Sequence, residues 1–221
     1  MTDNKNRLKV YLVALIGVAC FSIAWANNFG ITQKLINSVK KNYGEEASVR
    51  IKDWGTLIDS NHHVTDQEKL KIVNDFFNQM KFTSDQKHWG QADYWATPVE
   101  FLSTGAGDCE DFSIAKYFTL KELGVADNKL RITYVKAMKI NQAHMVLTYY
   151  EKPYAEPLVL DNIDAEIKPG SKRMDLKPVY SFNGNGLWLA KERGRGKRVS
   201  GSDQINLWAD VEQRMSRDFG N

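Results

Sequence analysis

A cysteine within a glycine-rich, acidic segment is the residue of this sequence with the clearest chemical potential. Residues 105–111 read Gly-Ala-Gly-Asp-Cys-Glu-Asp, and the pattern that follows predicts a largely buried helix from Cys109 to about Leu123. The glycines allow other parts of the chain to approach the thiol closely. The N-terminus of a helix favours a thiolate over a thiol, and the thiolate is the nucleophilic form. Cys109 is therefore the candidate nucleophile of a covalent catalyst.

A histidine and an aspartate in the region that follows complete a possible catalytic group. The change to an alternating apolar and polar pattern predicts strands at 130–134, 143–150 and 158–162. His144 lies on the second of these strands and Asp161 on the third, so the two side chains can lie side by side in an antiparallel sheet. Cys109, His144 and Asp161 would then act as nucleophile, base and orienter. Each alone has a structural interpretation, so the inference depends on their joint placement.

Three carboxylates flank the cysteine, and they oppose its activation. Asp108, Glu110 and Asp111 place negative charge beside the thiol, which raises the pKa of a cysteine. One interpretation is helix capping, because acidic residues in the first turn stabilise a helix. The other is a calcium site, because a hard divalent cation binds clustered carboxylate oxygens and cancels their charge. The local sequence alone favours capping, since its spacing matches no known calcium loop.

The order of the elements predicts an α+β fold, with helices first and an antiparallel sheet after them. Helices are predicted at 31–43, 46–59, 65–80, 97–104, 109–123 and 203–217, and further strands at 178–183 and 186–190. Thr65 and Thr97 each begin a capping box. Ile72, Phe76 and Met80 recur at four-residue spacing and are predicted to face the core. Residues 81–96 are predicted to form a loop, whose Tyr94 and Trp95 either wall a substrate cleft or pack in the core.

The first 26 residues have the pattern of an export signal. Lys5, Arg7 and Lys9 precede an apolar stretch, which ends in Ala24-Trp25-Ala26. An uncleaved anchor is the alternative, although the stretch is short for a membrane span. We therefore expect a signal peptide at 1–26 and one domain at 27–221, in the periplasm. Cleavage would remove Cys20 and leave Cys109 as the only thiol, and would leave a net charge close to zero, which does not predict nucleic-acid binding.

Five segments of the sequence, taken in order, resemble one known family. They are Asp-Tyr-Trp-Ala-Thr-Pro at 93–98, Gly-Ala-Gly-Asp-Cys-Glu-Asp-Phe at 105–112, Lys-Leu-Arg-Ile-Thr-Tyr-Val-Lys at 129–136, His-Met-Val-Leu at 144–147 and Leu-Val-Leu-Asp-Asn at 158–162. Together they resemble the bacterial transglutaminase-like cysteine proteinases over roughly residues 45–190. The candidate triad positions match the family pattern.

This resemblance implies a papain-like, transglutaminase-like core and a periplasmic endopeptidase that depends on calcium. Calcium binding in the family maps onto Asp108, Glu110 and Asp111, which reverses the preference for capping alone. The implied substrate is the N-terminal region of a large LapA-type adhesin, cut at a site of the Ala-Ala-Gly kind. Cleavage would release the adhesin from the outer membrane and disperse the biofilm. The implied inhibitor is a LapD-type inner-membrane receptor that sequesters the protease when cytoplasmic cyclic-di-GMP is high.

The chemistry expected of these residues is acyl transfer to water. His144 takes the proton of Cys109, Asp161 holds the imidazole ring, and the backbone N–H of Cys109 forms part of the oxyanion hole. A transglutaminase-type acyltransferase could use the same triad with an amine as acceptor, and a non-catalytic periplasmic binding module could use the aromatic cleft instead. We expect the free protein to be a monomer.

Overall fold

The elements of the fold follow the predicted order closely. The structure, a computed structural model, describes residues 30–189, 198–201 and 205–219, so the predicted export signal lies outside the described residues. The helices are α1 (Gln33–Tyr43), α2 (Glu45–Ser60), α3 (Asp66–Phe77), α4 (Asp85–His88), α5 (Pro98–Thr104), α6 (Cys109–Glu122) and α7 (Asn206–Asp218). The strands are β1 (Lys81–Phe82), β2 (Ala106–Gly107), β3 (Leu130–Ala137), β4 (Gln142–Tyr149), β5 (Leu158–Leu160), β6 (Lys168–Pro169), β7 (Leu176–Asn183), β8 (Gly186–Leu189) and β9 (Arg198–Ser200).

Seven of the strands form one antiparallel sheet, which confirms the predicted α+β class. Their order is β6-β5-β4-β3-β7-β8-β9, and each neighbouring pair is antiparallel. The central strands β3 and β4 form a hairpin in which Leu130 pairs with Tyr149 and Ala137 with Gln142. On one face of β4, Met145, Leu147 and Tyr149 enter the main core. That face packs against the helices, so the strands that carry the candidate residues are fixed to the helical layer.

Helix α6 runs through the centre of this core. Every residue from Asp111 to Leu120 is buried, including the polar residues of the turns beyond the first. The helix lies against β3 and β4 on one side and against α3 and α5 on the others. Its polar residues reach partners inside the protein, since Thr119 accepts a hydrogen bond from the indole of Trp54 on α2 at 2.9 Å. The predicted largely buried helix that begins at Cys109 is confirmed.

The predicted core face of α3 is wrong by a fraction of a turn. Leu70, Val73 and Phe77 are the fully buried apolar residues of this helix. Ile72, Phe76 and Met80 are only partly buried; Phe76 and Met80, the latter beyond the end of α3, still pack against the core. Positions four residues apart drift by about 40° at each step around a helix with 3.6 residues per turn. An apolar stripe with alternating spacings of three and four residues stays on one line, and this stripe faces the core.

The segment predicted as a loop, 81–96, contains two short elements. Strand β1 pairs in parallel with β2, so that Lys81 lies beside Ala106, and the single turn α4 follows it. Trp95 is buried and stacks on Phe182 with 5.5 Å between the ring centroids. Of the two interpretations of Trp95, core packing is therefore the one that the structure supports. Tyr94 is partly buried and accepts the hydrogen bond of an Arg214 N–H at 3.1 Å.

The C-terminal helix covers the end of α6 that lies far from the cysteine. Trp208, Val211 and Met215 form its buried face, as the sequence pattern predicts. Trp208 stacks on Phe118 of α6 with 5.3 Å between the ring centroids. Within the described ranges, none of the helices combines the length and apolar character that a membrane crossing requires.

Candidate active site

The turn before α6 presents Cys109 at the first position of the helix. Asp108 is the N-cap residue, and its carboxylate accepts from the backbone N–H of Glu110 at 3.2 Å. The carboxylate of Asp111 accepts in return from the backbone N–H of Asp108 at 3.2 Å. A Cβ atom at position 107 would collide with the Asp111 carboxylate, so only Gly107 fits there. Asp108 and Asp111 therefore do cap α6, as the first of the two interpretations predicts.

The Cys109 thiol lies between the acidic turn and the strand that carries His144. Burial raises the pKa of the thiol well above its usual range, and the charge and hydrogen bond of Glu110 raise it further. The Sγ atom donates to Glu110 Oε2 at 2.7 Å. The backbone of Met145, which follows His144 in the chain, hydrogen-bonds the sulfur and opposes this rise in the pKa. The structure thus brings the thiol to β4, but in a protonated form held by a carboxylate.

The imidazole of His144 and the carboxylate of Asp161 form a buried pair. Nε2 of His144 lies 2.8 Å from Asp161 Oδ1, and both side chains are inaccessible to solvent. Leu147 pairs with Leu160, so the register of β4 and β5 brings the residue after β5 close to His144. Burial opposes ionisation of Asp161, but the bond and charge of His144, the Ile163 N–H and Arg173 lower its pKa to about 2. Because the carboxylate is ionised, Nε2 must carry the proton, which leaves Nδ1 of His144 as the basic nitrogen.

Asp161 has partners that the sequence pattern did not indicate. Arg173 donates from Nη2 to Asp161 Oδ2 at 2.7 Å. The amide of Asn78, just after α3, donates to the backbone carbonyl of Asp161 at 2.9 Å. Lys116 of α6 in turn donates to the side-chain oxygen Oδ1 of Asn78 at 2.8 Å. Since these residues come from three separate segments, no local spacing could have identified them.

The acidic residues at the start of α6 belong to a larger cluster. Carboxylate oxygens of Asp85, Asp108 and Asp111 lie within 4.8 Å of one another, and a second group joins Asp108 and Glu110 with the thiol of Cys109. Of the three residues predicted as metal ligands, Asp108, Glu110 and Asp111, all therefore lie in this region. Asp85, on α4, is the member that sequence reasoning missed, because it lies in the segment predicted to be a loop.

The carboxylates of this cluster resist ionisation. Burial and then the charge of Glu110 raise the pKa of Asp108 to about 10. Burial, with the charges of Asp85 and Glu110, raises the pKa of Asp111 to about 8, although N–H groups of Ala96 and Asp108 oppose the rise. Burial is also the main reason for the raised pKa of Asp85. These are the properties of a site whose carboxylates have no cationic partner among the residues that the structure describes.

One oxygen of Asp85 shows that the cluster has an unused ligand. Its Oδ2 accepts from the backbone N–H of Tyr94 at 2.6 Å, whereas the buried Oδ1 has no hydrogen-bond partner among the described residues. A buried polar atom without a partner is costly. Hard oxygen donors grouped in this way fit a hard divalent cation such as calcium and do not fit a soft metal.

The metal-free protein should lose stability as the pH rises. Asp108 and Asp111 have pKa values of about 10 and about 8 in the folded protein against an ordinary value of 3.8, so the folded state holds more protons between pH 4 and 8. Stability from this source is fully present below pH about 4 and is lost as the pH approaches the folded values. In chelator, the free energy of unfolding measured with urea should therefore fall from pH 5 to pH 8.

Asp111→Asn should make this fall smaller, because an amide of the same shape does not titrate. Asp75→Asn, at an exposed residue that pairs with Lys71 on α3, serves as the control and should leave the fall unchanged. A free energy of unfolding that stays level or rises between pH 5 and pH 8 in chelator would contradict the description of the cluster.

Comparison with known proteins places the chain in a family. The family model described as bacterial transglutaminase-like cysteine proteinase, BTLCP, matches residues 40–175. The EGTA-treated structure of Legionella pneumophila LapG is 44% identical, with a TM-score of 0.74 over 82% of this chain and 96% of that chain. The calcium-bound LapG structure is 45% identical, with a TM-score of 0.71 over 82% of this chain and 98% of that chain.

No curated protein matched the sequence. The LapG match confirms the predicted transglutaminase-like fold, with its mixed helices and antiparallel sheet. The family model covers the cysteine, the histidine and the aspartate of the site. The chain therefore belongs to the bacterial transglutaminase-like cysteine proteinases.

Proposed function

We propose that this protein is a calcium-dependent cysteine endopeptidase of the periplasm that uses Cys109, His144 and Asp161. The observation that carries the proposal is the buried pair of His144 and Asp161, 2.8 Å apart, in which His144 lies on the strand that packs against the helix beginning at Cys109. Membership of a cysteine proteinase family supports the same assignment. The proposed substrate is the N-terminal region of a large LapA-type adhesin, whose release would disperse a biofilm.

The residues would act in the order of a cysteine hydrolase. Nδ1 of His144 takes the thiol proton, and the sulfur of Cys109 attacks the scissile carbonyl, whose oxygen gains the negative charge. The backbone N–H of Cys109, at the first position of α6, stabilises this charge. The imidazolium then gives its proton to the leaving amine as the C–N bond breaks. A water molecule activated by His144 hydrolyses the thioester and frees Cys109.

Asp161 keeps the imidazole in the form that this sequence requires. Its ionised carboxylate accepts the Nε2 proton, which leaves Nδ1 unprotonated and able to act as the base for the thiol. It also stabilises the imidazolium that forms after proton transfer, because the pair is buried in a low-dielectric region. An orienter with a pKa of about 2 stays charged over the whole range of pH in which a protease works.

Calcium is the cofactor that the acidic cluster fits. Asp85, Asp108, Glu110 and Asp111 supply hard oxygens, and the buried Oδ1 of Asp85 has no hydrogen-bond partner within the described part of the chain. A bound divalent cation would supply positive charge that offsets the like charges of the cluster and so lowers the pKa of the neighbouring thiol. Glu110, when engaged as a ligand, would no longer hold the thiol proton. The calcium-bound structure of LapG supports this assignment.

The substrate, the compartment and the regulator rest on the similarity to LapG and on the sequence motifs. The predicted export signal would deliver the domain to the periplasm, where an outer-membrane adhesin exposes its N-terminal region. A LapD-type inner-membrane receptor, sensitive to cytoplasmic cyclic-di-GMP, would inhibit the protease by sequestering it. We propose that the free enzyme is a monomer and that it has no nucleic-acid partner.

Replacement of the nucleophile tests the reaction class. Cys109→Ala should lower kcat/KM for cleavage of an adhesin N-terminal fragment by at least about 10³-fold, because no covalent intermediate can form. The measurement is the rate of appearance of the two fragments, in calcium, resolved by mass spectrometry. His144→Ala should cause a loss of similar size, since the two residues act as one unit.

Survival of cleavage in Cys109→Ala would contradict the proposal. A labelled primary amine added to the wild-type reaction distinguishes the acyltransferase, because an acyl-enzyme that prefers amines would attach the label to the new C-terminus. Hydrolysis predicts an unlabelled carboxylate there. Binding of the adhesin fragment without any cleavage, in calcium, would indicate a binding module.

Calcium dependence should trace to the acidic cluster. Activity should vanish in excess chelator and return with calcium, and Asp85→Asn should raise the calcium concentration for half-maximal activity by about tenfold or more, because it removes a charged ligand. Calorimetric titration with calcium alone measures the same change without substrate. Asp75→Asn removes an exposed acid elsewhere and should leave the calcium affinity unchanged. Full activity in excess chelator would refute the calcium assignment.

A further inference from the structure

The carboxylate of Asp161 is held on both of its oxygens. Oδ1 accepts from His144 and also from the backbone N–H of Ile163 at 3.0 Å. Oδ2 accepts from Nη2 of Arg173 at 2.7 Å. The side chain therefore cannot rotate without breaking a charge-assisted hydrogen bond in a buried position. His144 thus has an acceptor of fixed direction, and Arg173 is the only side chain on the opposite oxygen within the described part of the chain.

Arg173 is itself fixed in place. It is 4% exposed, and its Nε and Nη2 atoms donate to the two oxygens of Asp175 at 3.0 and 2.9 Å. The planar guanidinium thus bridges two carboxylates that could not both remain charged and close together without it. Arginine suits this position because its fork of donors reaches both acids at once, which the single ammonium of a lysine cannot do.

The electrostatics of the pair give the arginine a definite role. Asp161 is 1% exposed, and burial alone would favour its neutral form. A neutral Asp161 could donate a proton to Nε2, which would move the ring proton to Nδ1 and remove the base that faces Cys109. The hydrogen bond that Arg173 donates adds to the bond and charge of His144 and to the Ile163 N–H, which together favour the carboxylate. Lys116 also acts on Asp161 through its charge, but it reaches only the backbone carbonyl, by way of Asn78.

We propose that Arg173 is a positioning residue of this protease, which fixes the Asp161 carboxylate so that His144 presents Nδ1 to Cys109. The inference rests on the proposed function and adds a fourth member to its catalytic apparatus. The hydrogen bonds of Arg173 go to Asp161 and Asp175, so its proposed effect on the site passes through Asp161. Its removal should therefore change the state of the imidazole, and not merely the stability of the fold.

A cavity beside Arg173 makes this role testable by chemical rescue. The cavity has a volume of about 460 Å³ and lies against Val135, Val146 and Val159, on the sheet face opposite the main core. Arg173 lines it, and the structure gives its Nη1 atom no hydrogen-bond partner among the described residues. A truncated side chain would leave room that a free guanidinium ion can reach through this cavity.

Arg173→Ala should lower kcat/KM by about 10- to 100-fold, the range found when a supporting partner of a functional group is removed. Millimolar guanidinium should restore a large part of the loss, whereas methylammonium, which lacks the fork, should not. In the calcium-loaded protein, the low-field proton resonance of the His144 Nε2–H should weaken or shift in Arg173→Ala and return with guanidinium. Arg173→Lys keeps the charge without the fork, and its kcat/KM should lie between wild type and Arg173→Ala.

Arg131→Ala is the matched control. This arginine lies on β3, where its guanidinium stacks on Trp188 with 4.2 Å to the ring centroid. It pairs with Thr148, four positions along β4 from His144. Its loss should lower stability but should neither change the imidazole resonance nor respond to guanidinium. Arg173→Ala in an Asp161→Asn background should cause no further loss of kcat/KM and show no rescue, because the carboxylate that the arginine positions is absent.

The proposal is overturned if Arg173→Ala keeps wild-type kcat/KM and an unchanged resonance, or if guanidinium restores neither. If Arg173→Ala does not fold, Arg173→Lys decides: a wild-type resonance with wild-type kcat/KM would refute the role of the fork. Failure of the proposed function has a different signature. In that case the wild-type protein would show no cleavage that depends on Cys109, while the imidazole resonance would still report whether Arg173 positions Asp161.

Discussion

A helix that is buried on every side is the constraint on which this structure depends. Helix α6 carries apolar residues around most of its circumference, and all its residues from Asp111 to Leu120 are buried. Such a helix is stable only when other elements cover it completely. The sheet covers one side through β3 and β4, α3 and α5 cover others, and Trp208 of α7 covers Phe118. The two ends of the helix are partly exposed, and the N-terminal end carries Cys109.

The same constraint explains why the candidate residues meet. Because β4 must pack on α6, the strand that carries His144 passes the first turn of the helix, and the backbone of Met145 contacts the thiol. Strand β5 pairs with β4, so Asp161, which directly follows β5, lies near His144. The geometry of the site is thus a consequence of core packing.

Two groups of aspartates show how neighbours decide the charge of one residue type. Asp161 is buried beside Arg173 and His144 and has a pKa of about 2, whereas Asp108 is partly buried among carboxylates and has a pKa of about 10. Burial disfavours the anion in both places, and the difference comes from the sign of the nearest charges. The protein supplies cations for the first group, and the second group fits an external cation.

The sequence by itself determined the features that depend on local interactions. The capping boxes at Thr65 and Thr97, the helix that begins at Cys109, and the strand that carries His144 all formed where the pattern predicted them. The third strand formed as well, but it ends at Leu160, so Asp161 directly follows it. Each of these depends on residues a few positions apart, so composition and spacing are sufficient. The prediction for the core face of α3 was wrong because this helix has apolar residues on more than one side. The surrounding elements decide which of these sides is buried.

Tertiary structure alone decided which distant groups join the site. Arg173 reaches Asp161 from 12 residues away, and Asn78 reaches it from 83 residues away. Asp85 joins Asp108 and Asp111 because β1 pairs with β2 and brings α4 to the start of α6. No sequence spacing encodes such contacts. Charges interact according to their distance in space, and the packing of the whole core sets that distance.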